Sequence, residues 1–341
     1  MAQHQFNYNK RFELESGEVL PELTITYHTY GYLNEKMNNI IWVCHALTAN
    51  SEVDSWWPGT VEKGKFLDPE KNFIICANIL GSHYGTTGPL SINPHTQKPY
   101  YGAFPRITIK DVVKAHQLLA RALGIKKVKA LIGSSIGGFQ VGEWIISQPN
   151  FAEKAVIIAS AARADAWVVA FNESQRMAIE SDATYGELRD EAGFKGMSAA
   201  RSLALLSYRS RSGYIATQSE QDIDVNKTSD FRASSYQRYQ GSKLVTRFNA
   251  YSYYRLTELI DSHNLARGRA SLEVALASIT SKVALIAISS DIIYPISNHT
   301  FMHSHIKGSS LHIIESKFGH DGFLVESEKL NTIITNFLEN N

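Results

Sequence analysis

One stretch constrains this chain more than any other: residues 127–149, KVKALIGSSIGGFQVGEWIISQP. An apolar run leads without a gap into Gly133-Ser134-Ser135-Ile136-Gly137-Gly138, and a helix-forming segment follows until Pro149. This is Gly-x-Ser-x-Gly in a strand-turn-helix setting. A serine forced into so tight a turn points its hydroxyl away from the sheet, and small residues on either side relieve the crowding. Ser135 is therefore the candidate nucleophile. The Ile136 amide opens the helix, where backbone N–H groups face outward and can meet a developing oxyanion. A packing turn without chemistry would look the same locally. A nucleophile also needs a base and an acid, and these must be found elsewhere in the chain.

The surrounding rhythm supports a sheet able to carry such a turn. Residues 23–30 alternate, with Leu23, Ile25 and Tyr27 on one face and Thr24, Thr26 and His28 on the other; FELESG just upstream reads as the pairing strand. IIWVC at 40–44 and FIICA at 73–77 are continuous apolar runs, the pattern of strands covered on both faces. From Thr108 the period becomes helical through Val112, Ala115, Leu119 and Leu123, and Gly124 stops it. AVIIAS at 155–160, VALIAI at 283–288 and LHII at 311–314 continue the strands, with helices expected over 295–305 and 322–338. Strand and helix alternate as in an α/β protein with a mostly parallel sheet and helices on both faces. Residues 163–278 break this alternation and read as mostly helical. One α/β core, residues 1–162 and 279–341, interrupted by a helical insertion at 163–278, fits better than two domains in series.

The partners of Ser135 follow from this arrangement. Asp291 comes just after the 283–288 strand, and His320 follows the 311–314 strand within FGHDGF. Both fall on loops at strand C-terminal ends, in the order serine, acid, histidine that belongs to the Gly-x-Ser-x-Gly turn. Either residue alone could be a helix cap, but capping does not explain why all three fall at one end of the sheet. A second oxyanion donor is expected from the loop after an earlier strand. His45-Ala46-Leu47-Thr48 follows IIWVC, so the Leu47 amide is that candidate, and His45 is read as holding the loop. His299, His303 and His305 cluster on the 295–305 helix without an acid or cysteine in that stretch, so they are read as a solvated or insertion-facing surface and not as a metal site.

Composition removes several other classes. Lysine plus arginine number 34 against 33 aspartate plus glutamate, a net charge of +1 that gives no nucleic-acid surface. The 2 cysteines, Cys44 and Cys76, lie in apolar strands and read as buried thiols of a reducing compartment. The N-terminal stretch has no apolar segment of signal-peptide type, and no run is long enough to span a bilayer. A cytoplasmic location without membrane or nucleic-acid partners is the expectation.

The motifs together resemble a known family. HALT at 45–48, NILGSHYGTTGPLSINP at 78–94, YYGAFPRITIKD at 100–111 and GSSIGG at 133–138 carry the resemblance through the first half. FNESQRMAI at 171–179, ARSLALLSYRS at 200–210 and SSYQRYQGSKLVTRFNAYSYY at 234–254 carry it through the insertion, and SSDIIYP at 289–295 with GHDGFL at 319–324 completes it. They resemble the homoserine O-acetyltransferases, which have the α/β-hydrolase fold.

The resemblance implies transfer of an acetyl group from acetyl-CoA to the hydroxyl of L-homoserine, through an acyl-serine and by a ping-pong route. It implies Ser135, Asp291 and His320 as the triad, and Leu47 and Ile136 as oxyanion donors. It places Arg201 at the amino acid's carboxylate, Tyr208 beside it in a tunnel, and Asp321 at the ammonium. Arg176 and Arg247 are weaker candidates, for organising the insertion. Acetyl-CoA is a substrate here; no resident cofactor and no metal are implied. The insertion is expected to be a lid and the surface of a homodimer. L-serine as acceptor, succinyl-CoA as donor of either acceptor, and an esterase in which water replaces the amino acid remain open.

Overall fold

The computed structural model describes residues 1–222 and 224–340. Its centre is an 8-stranded sheet. In chain order the strands are β1 (Ala2–Tyr8), β2 (Leu23–Tyr30), β3 (Ile40–Cys44), β4 (Phe73–Ala77), β5 (Val128–Ser134), β6 (Ala152–Ile158), β7 (Lys282–Ile288) and β8 (Ser310–Ile314). Across the sheet they run β1-β2-β4-β3-β5-β6-β7-β8. The strands from β4 to β8 are parallel, and β1 and β2 are antiparallel additions at one edge.

Period-two alternation divides the apolar runs between two faces. In β3, Trp42 and Cys44 pack into one core with Leu131, Phe139 and Trp144, while Ile41 and Val43 pack into the other with Ile132, Ile158 and Ile286. Both cores are closed by helices. Helix α1 (Ile109–Ala122) and helix α2 (Ile136–Ser147) cover the first. The C-terminal helix Ser327–Glu339 covers the second through Leu330, Ile334 and Leu338. The start of α1 is a capping box: Thr108 accepts from the Asp111 N–H, and Asp111 accepts from the Thr108 N–H at 2.8 Å.

Register decides what meets at the top of the sheet. Cys44 pairs with Gly133, and Ser134 pairs with Ile158. Ile158 pairs in turn with Ile286, and Ile288 with Ile314. The segments that leave β3, β5, β7 and β8 therefore emerge side by side, bringing together residues 185 positions apart in sequence.

Between β6 and β7 lie six helices and, among the described residues, no ladder strand. They are α3 (Ala166–Glu180), α4 (Phe194–Tyr208), α5 (Arg211–Gln218), α6 (Arg232–Val245), α7 (Ala250–Asp261) and α8 (Leu272–Ala277). Helix α3 packs on α4 and α7, and α4 on α6. Arg176 ties α3 to α7: its Nη2 is 2.6 Å from both Glu173 and Asp261. After β7 comes α9 (Ile296–His305), and Ser327–Glu339 is α10. Among the described residues no helix is long and apolar enough to cross a membrane.

Two expectations fail. The edge partner of β2 is Ala2–Tyr8, not FELESG, of which only Phe12–Glu13 is a strand, in a small separate ladder. Residues 2–5 are exposed, so this strand has no apolar alternation for sequence reading to detect. The last helix is not continuous over 322–338. A 3-10 turn at Gly319–Asp321 and a short turn at Gly322–Val325 precede α10, because Glu326 leaves the helical region at ψ 41.

Candidate active site

Ser135 sits between β5 and α2 with φ 55 and ψ −126, a backbone state that costs energy for any residue with a Cβ. Its neighbours hold it there. Its N–H donates to Ile158 O at 2.9 Å, and its carbonyl accepts from the Gly138 N–H and the Ser160 hydroxyl, each at 2.9 Å. The small residues of the motif are required sterically. A Cβ on Gly133 would come 2.3 Å from Gly137 O, and one on Gly137 would come 2.1 Å from Cys44 O.

The other two residues of the sequence-predicted triad meet Ser135. His320 Nε2 is 2.9 Å from Ser135 Oγ, and His320 Nδ1 is 2.7 Å from Asp291 Oδ2. Asp291 Oδ1 accepts from the Ile293 and Tyr294 N–H groups at 2.8 and 3.0 Å, so the carboxylate is fixed on both oxygens. Ionised, it can only accept, which places the imidazole proton on Nδ1 and leaves Nε2 free to take the serine proton. Burial disfavours both charges. The facing pair outweighs this: Asp291 is held below the usual carboxylate range by His320 and its two N–H donors, and Asp291 raises His320 above the ordinary histidine value.

Of the two expected oxyanion donors, Ile136 directly follows Ser135 and Leu47 lines the same cavity as Ser135. Ile136 N–H is in the first turn of α2, where no intrahelical carbonyl is available to it. Leu47 and Thr48 occupy a turn closed by Ala49 N–H to Ala46 O at 3.1 Å. His45 holds the loop, as the sequence suggests: Nδ1 donates to Ala46 O at 2.8 Å, and Nε2 accepts from the Ile79 N–H at 3.0 Å. Burial lowers its pKa to about 4, so it remains neutral and can keep both bonds.

A cavity of about 570 Å³ opens above Ser135. Leu47, Ser135, Arg201, Tyr208, His320 and Asp321 all line it; Asp291 and Ile136 lie beneath, buried. Helix α4 supplies Arg201 and Tyr208, whose guanidinium carbon lies 5.3 Å from the phenol ring centroid. The Tyr208 ring is 5.9 Å from that of His320. Burial raises the Asp321 carboxyl, against the opposing pull of Arg209, Arg201 and His320.

Sequence reasoning missed Arg209. Its Nε lies 3.0 Å from Asp321 Oδ2, a charge contact whose N–H is not aligned for a hydrogen bond. Only its place directly after Tyr208 could have signalled it. The reading of His299 needs correction. It does not lie on a solvated or insertion-facing surface: it is fully buried, and its Nε2 accepts from the Ser160 N–H at 3.1 Å. His303 is exposed, and His305 is partly so.

Such an arrangement can form and discharge an ester on Ser135. A cation and a carboxylate on the cavity wall suit a zwitterion better than a neutral alcohol. A model of the alpha/beta hydrolase fold matches residues 39–327. The homoserine O-acetyltransferase of Cyclobacterium marinum is 46% identical over 343 residues, spanning 100% of this chain and 97% of that protein. Among solved structures, the homoserine O-acetyltransferase from Bacillus anthracis superposes with a TM-score of 0.92 at 24% identity, covering 100% of this chain and 98% of its own. Esterase E22 superposes with a TM-score of 0.88 at 23% identity, covering 99% and 100%. At such identities the two structures speak for the fold alone.

Proposed function

The chain belongs to the homoserine O-acetyltransferase family, on the α/β-hydrolase fold, and from that premise we propose that it moves an acetyl group from acetyl-CoA to the hydroxyl of L-homoserine through an acetyl ester on Ser135. The observation that carries this reading is the unbroken line Asp291–His320–Ser135 under a cavity walled by Arg201 and Asp321.

In the first half-reaction His320 Nε2 takes the Ser135 proton as Oγ attacks the thioester carbonyl. The Leu47 and Ile136 amides stabilise the oxyanion. As it collapses, the C–S bond breaks and the imidazolium returns its proton to sulfur, so free CoA leaves as a thiol. In the second half-reaction His320 takes the homoserine hydroxyl proton, that oxygen attacks the acetyl ester, and Ser135 leaves with the proton. Arg201 binds the acceptor carboxylate with its planar fork. Asp321 faces the ammonium, with Arg209 helping to keep it ionised despite burial. Tyr208 packs between Arg201 and the imidazole.

Residues 163–278 act as a lid on this reading, because α3, α4 and the segment after α6 supply cavity walls above Ser135. We place the protein in the cytoplasm as a homodimer joined through that insertion, with no resident cofactor. Purified protein offered acetyl-CoA or succinyl-CoA, each with homoserine, serine or water, tests the reading. Free thiol and O-acetylhomoserine should appear together and fastest with acetyl-CoA and homoserine. Equal thiol release in water alone would make the protein an esterase.

A further inference from the structure

The loop between β3 and β4 is gripped from two sides, and one of the two grips includes a side chain of the insertion. From below, His45 and the Ala49 N–H both donate to Ala46 O, at 2.8 and 3.1 Å. In a trans peptide the N–H points opposite the carbonyl, so this contact sets the direction of the Leu47 N–H. From above, the Thr48 carbonyl of the same turn accepts from Arg247 Nη1 at 2.5 Å and from the Tyr84 hydroxyl at 3.3 Å. Arg247 Nη1 also donates to the Tyr84 oxygen at 2.7 Å, and Nη2 lies 3.4 Å from Thr48 Oγ1.

Arg247 belongs to the insertion, between α6 and α7. Its neighbours fasten the same region. The Phe248 ring lies edge-on to Tyr84 at 5.8 Å, and Asn249 Nδ2 is 3.0 Å from His83 Nδ1. Among the described residues Arg247 has no carboxylate within ion-pair distance; its donors go to a carbonyl, a phenol and a hydroxyl. Although Arg247 is exposed, its donors converge on Thr48 and on the phenol that also reaches Thr48, in the loop that carries Leu47.

We propose that Arg247, from the insertion, and Tyr84, from the loop after β4, are positioning residues for acyl transfer, holding the Thr48 carbonyl and so fixing the turn that presents the Leu47 amide to the oxyanion. The inference rests on the reading of Leu47 as an oxyanion donor. It couples the part of the protein that walls the cavity to the part that stabilises charge on the reacting carbonyl. A merely structural tie would lower stability and leave rates alone. A tie that positions the oxyanion donor must act in both half-reactions, since each passes through a tetrahedral oxyanion.

The test is single-turnover acylation of Ser135 by p-nitrophenyl acetate and by acetyl-CoA, followed by a homoserine chase, in wild type, Arg247→Ala, Arg247→Lys and Tyr84→Phe. Loss of a direct oxyanion donor costs about 100- to 1,000-fold; a residue acting through that donor should cost about 10- to 100-fold. Arg247→Ala should slow acylation by both donors and the chase by similar factors, with the homoserine KM nearly unchanged. Arg247→Lys should recover part of the rate, and Tyr84→Phe should lose about threefold to tenfold, the worth of one hydrogen bond. If Arg247→Ala does not fold, the lysine and phenylalanine variants decide. Acylation by p-nitrophenyl acetate within twofold of wild type in the variants, or slowing confined to the homoserine chase, would overturn the proposal. Wild type that reacts with p-nitrophenyl acetate but not with acetyl-CoA would refute the donor assignment and leave the comparison of variants intact.

Discussion

His320 carries opposing demands. In the proposed mechanism it must be neutral to take a proton from Ser135, yet the buried Asp291 carboxylate favours its protonated form. Its pKa is raised from the ordinary value of 6.5, so the imidazole becomes an effective base only above that pH. The rate of Ser135 acylation should therefore rise with pH through a midpoint above 6.5. In Asp291→Asn the charge holding the proton is gone, so the midpoint should move down while the plateau rate falls. A pH series of single-turnover acylation measures both; an unshifted midpoint in the variant would contradict this electrostatic account. At this scale much of the site is legible in the sequence. Ser135, Asp291 and His320 each follow an apolar run closely enough for their place at the sheet's end to be read. Arg209 and His299 are not legible in that way. Arg209 reaches Asp321 only through the meeting of the α4 end with the 319–321 turn, and the burial of His299 depends on how α9 packs under Ser160. Those are tertiary facts without a local pattern.

Among elements, the β5–turn–α2 unit is the most tightly determined. Its glycines are fixed by approach distance, not by propensity: at Gly137 a methyl group would overlap the Cys44 carbonyl at 2.1 Å. Neither atom is the end of a flexible side chain. Gly137→Ala should therefore force β3 and α2 apart and cost about 1–3 kcal/mol or more in unfolding free energy. Urea denaturation would measure it, and a variant within about 0.5 kcal/mol of wild type, the range of an ordinary surface change, would show that the turn relaxes freely. Element boundaries were legible where a residue enforces them. Thr108 starts α1 by its capping box, and Gly124 ends it with φ 71. They were not legible for β1, whose residues are mostly exposed, or for the break before α10, where the chain turns to deliver His320 and Asp321.

For the whole molecule, the division between sheet and insertion predicts a division of labour. On the proposed reading the loops at the sheet's end carry the nucleophile, base and acid, and α4 of the insertion carries Arg201 to the cavity. The acyl donor needs the first set; the zwitterionic acceptor also needs the second. Arg201→Ala should leave acetylation of Ser135 by acetyl-CoA close to wild type. It should slow the homoserine chase by about 2–5 kcal/mol in barrier, the loss expected when one member of a buried charged contact is removed. Rapid-quench kinetics of the two steps would separate them, and equal slowing of both would contradict an acceptor-specific role for Arg201. Arg247→Ala is expected to slow both steps, so the two arginines can be told apart in one experiment.

The most direct measurement is intact-mass analysis of the protein mixed with acetyl-CoA and then with homoserine. Wild type should gain a single acetyl group, located on Ser135 by peptide mapping, and lose it on adding homoserine as O-acetylhomoserine appears in equal amount. Ser135→Ala should gain none. An acetyl group on another residue, or a labelled Ser135 that homoserine does not discharge, would contradict the account.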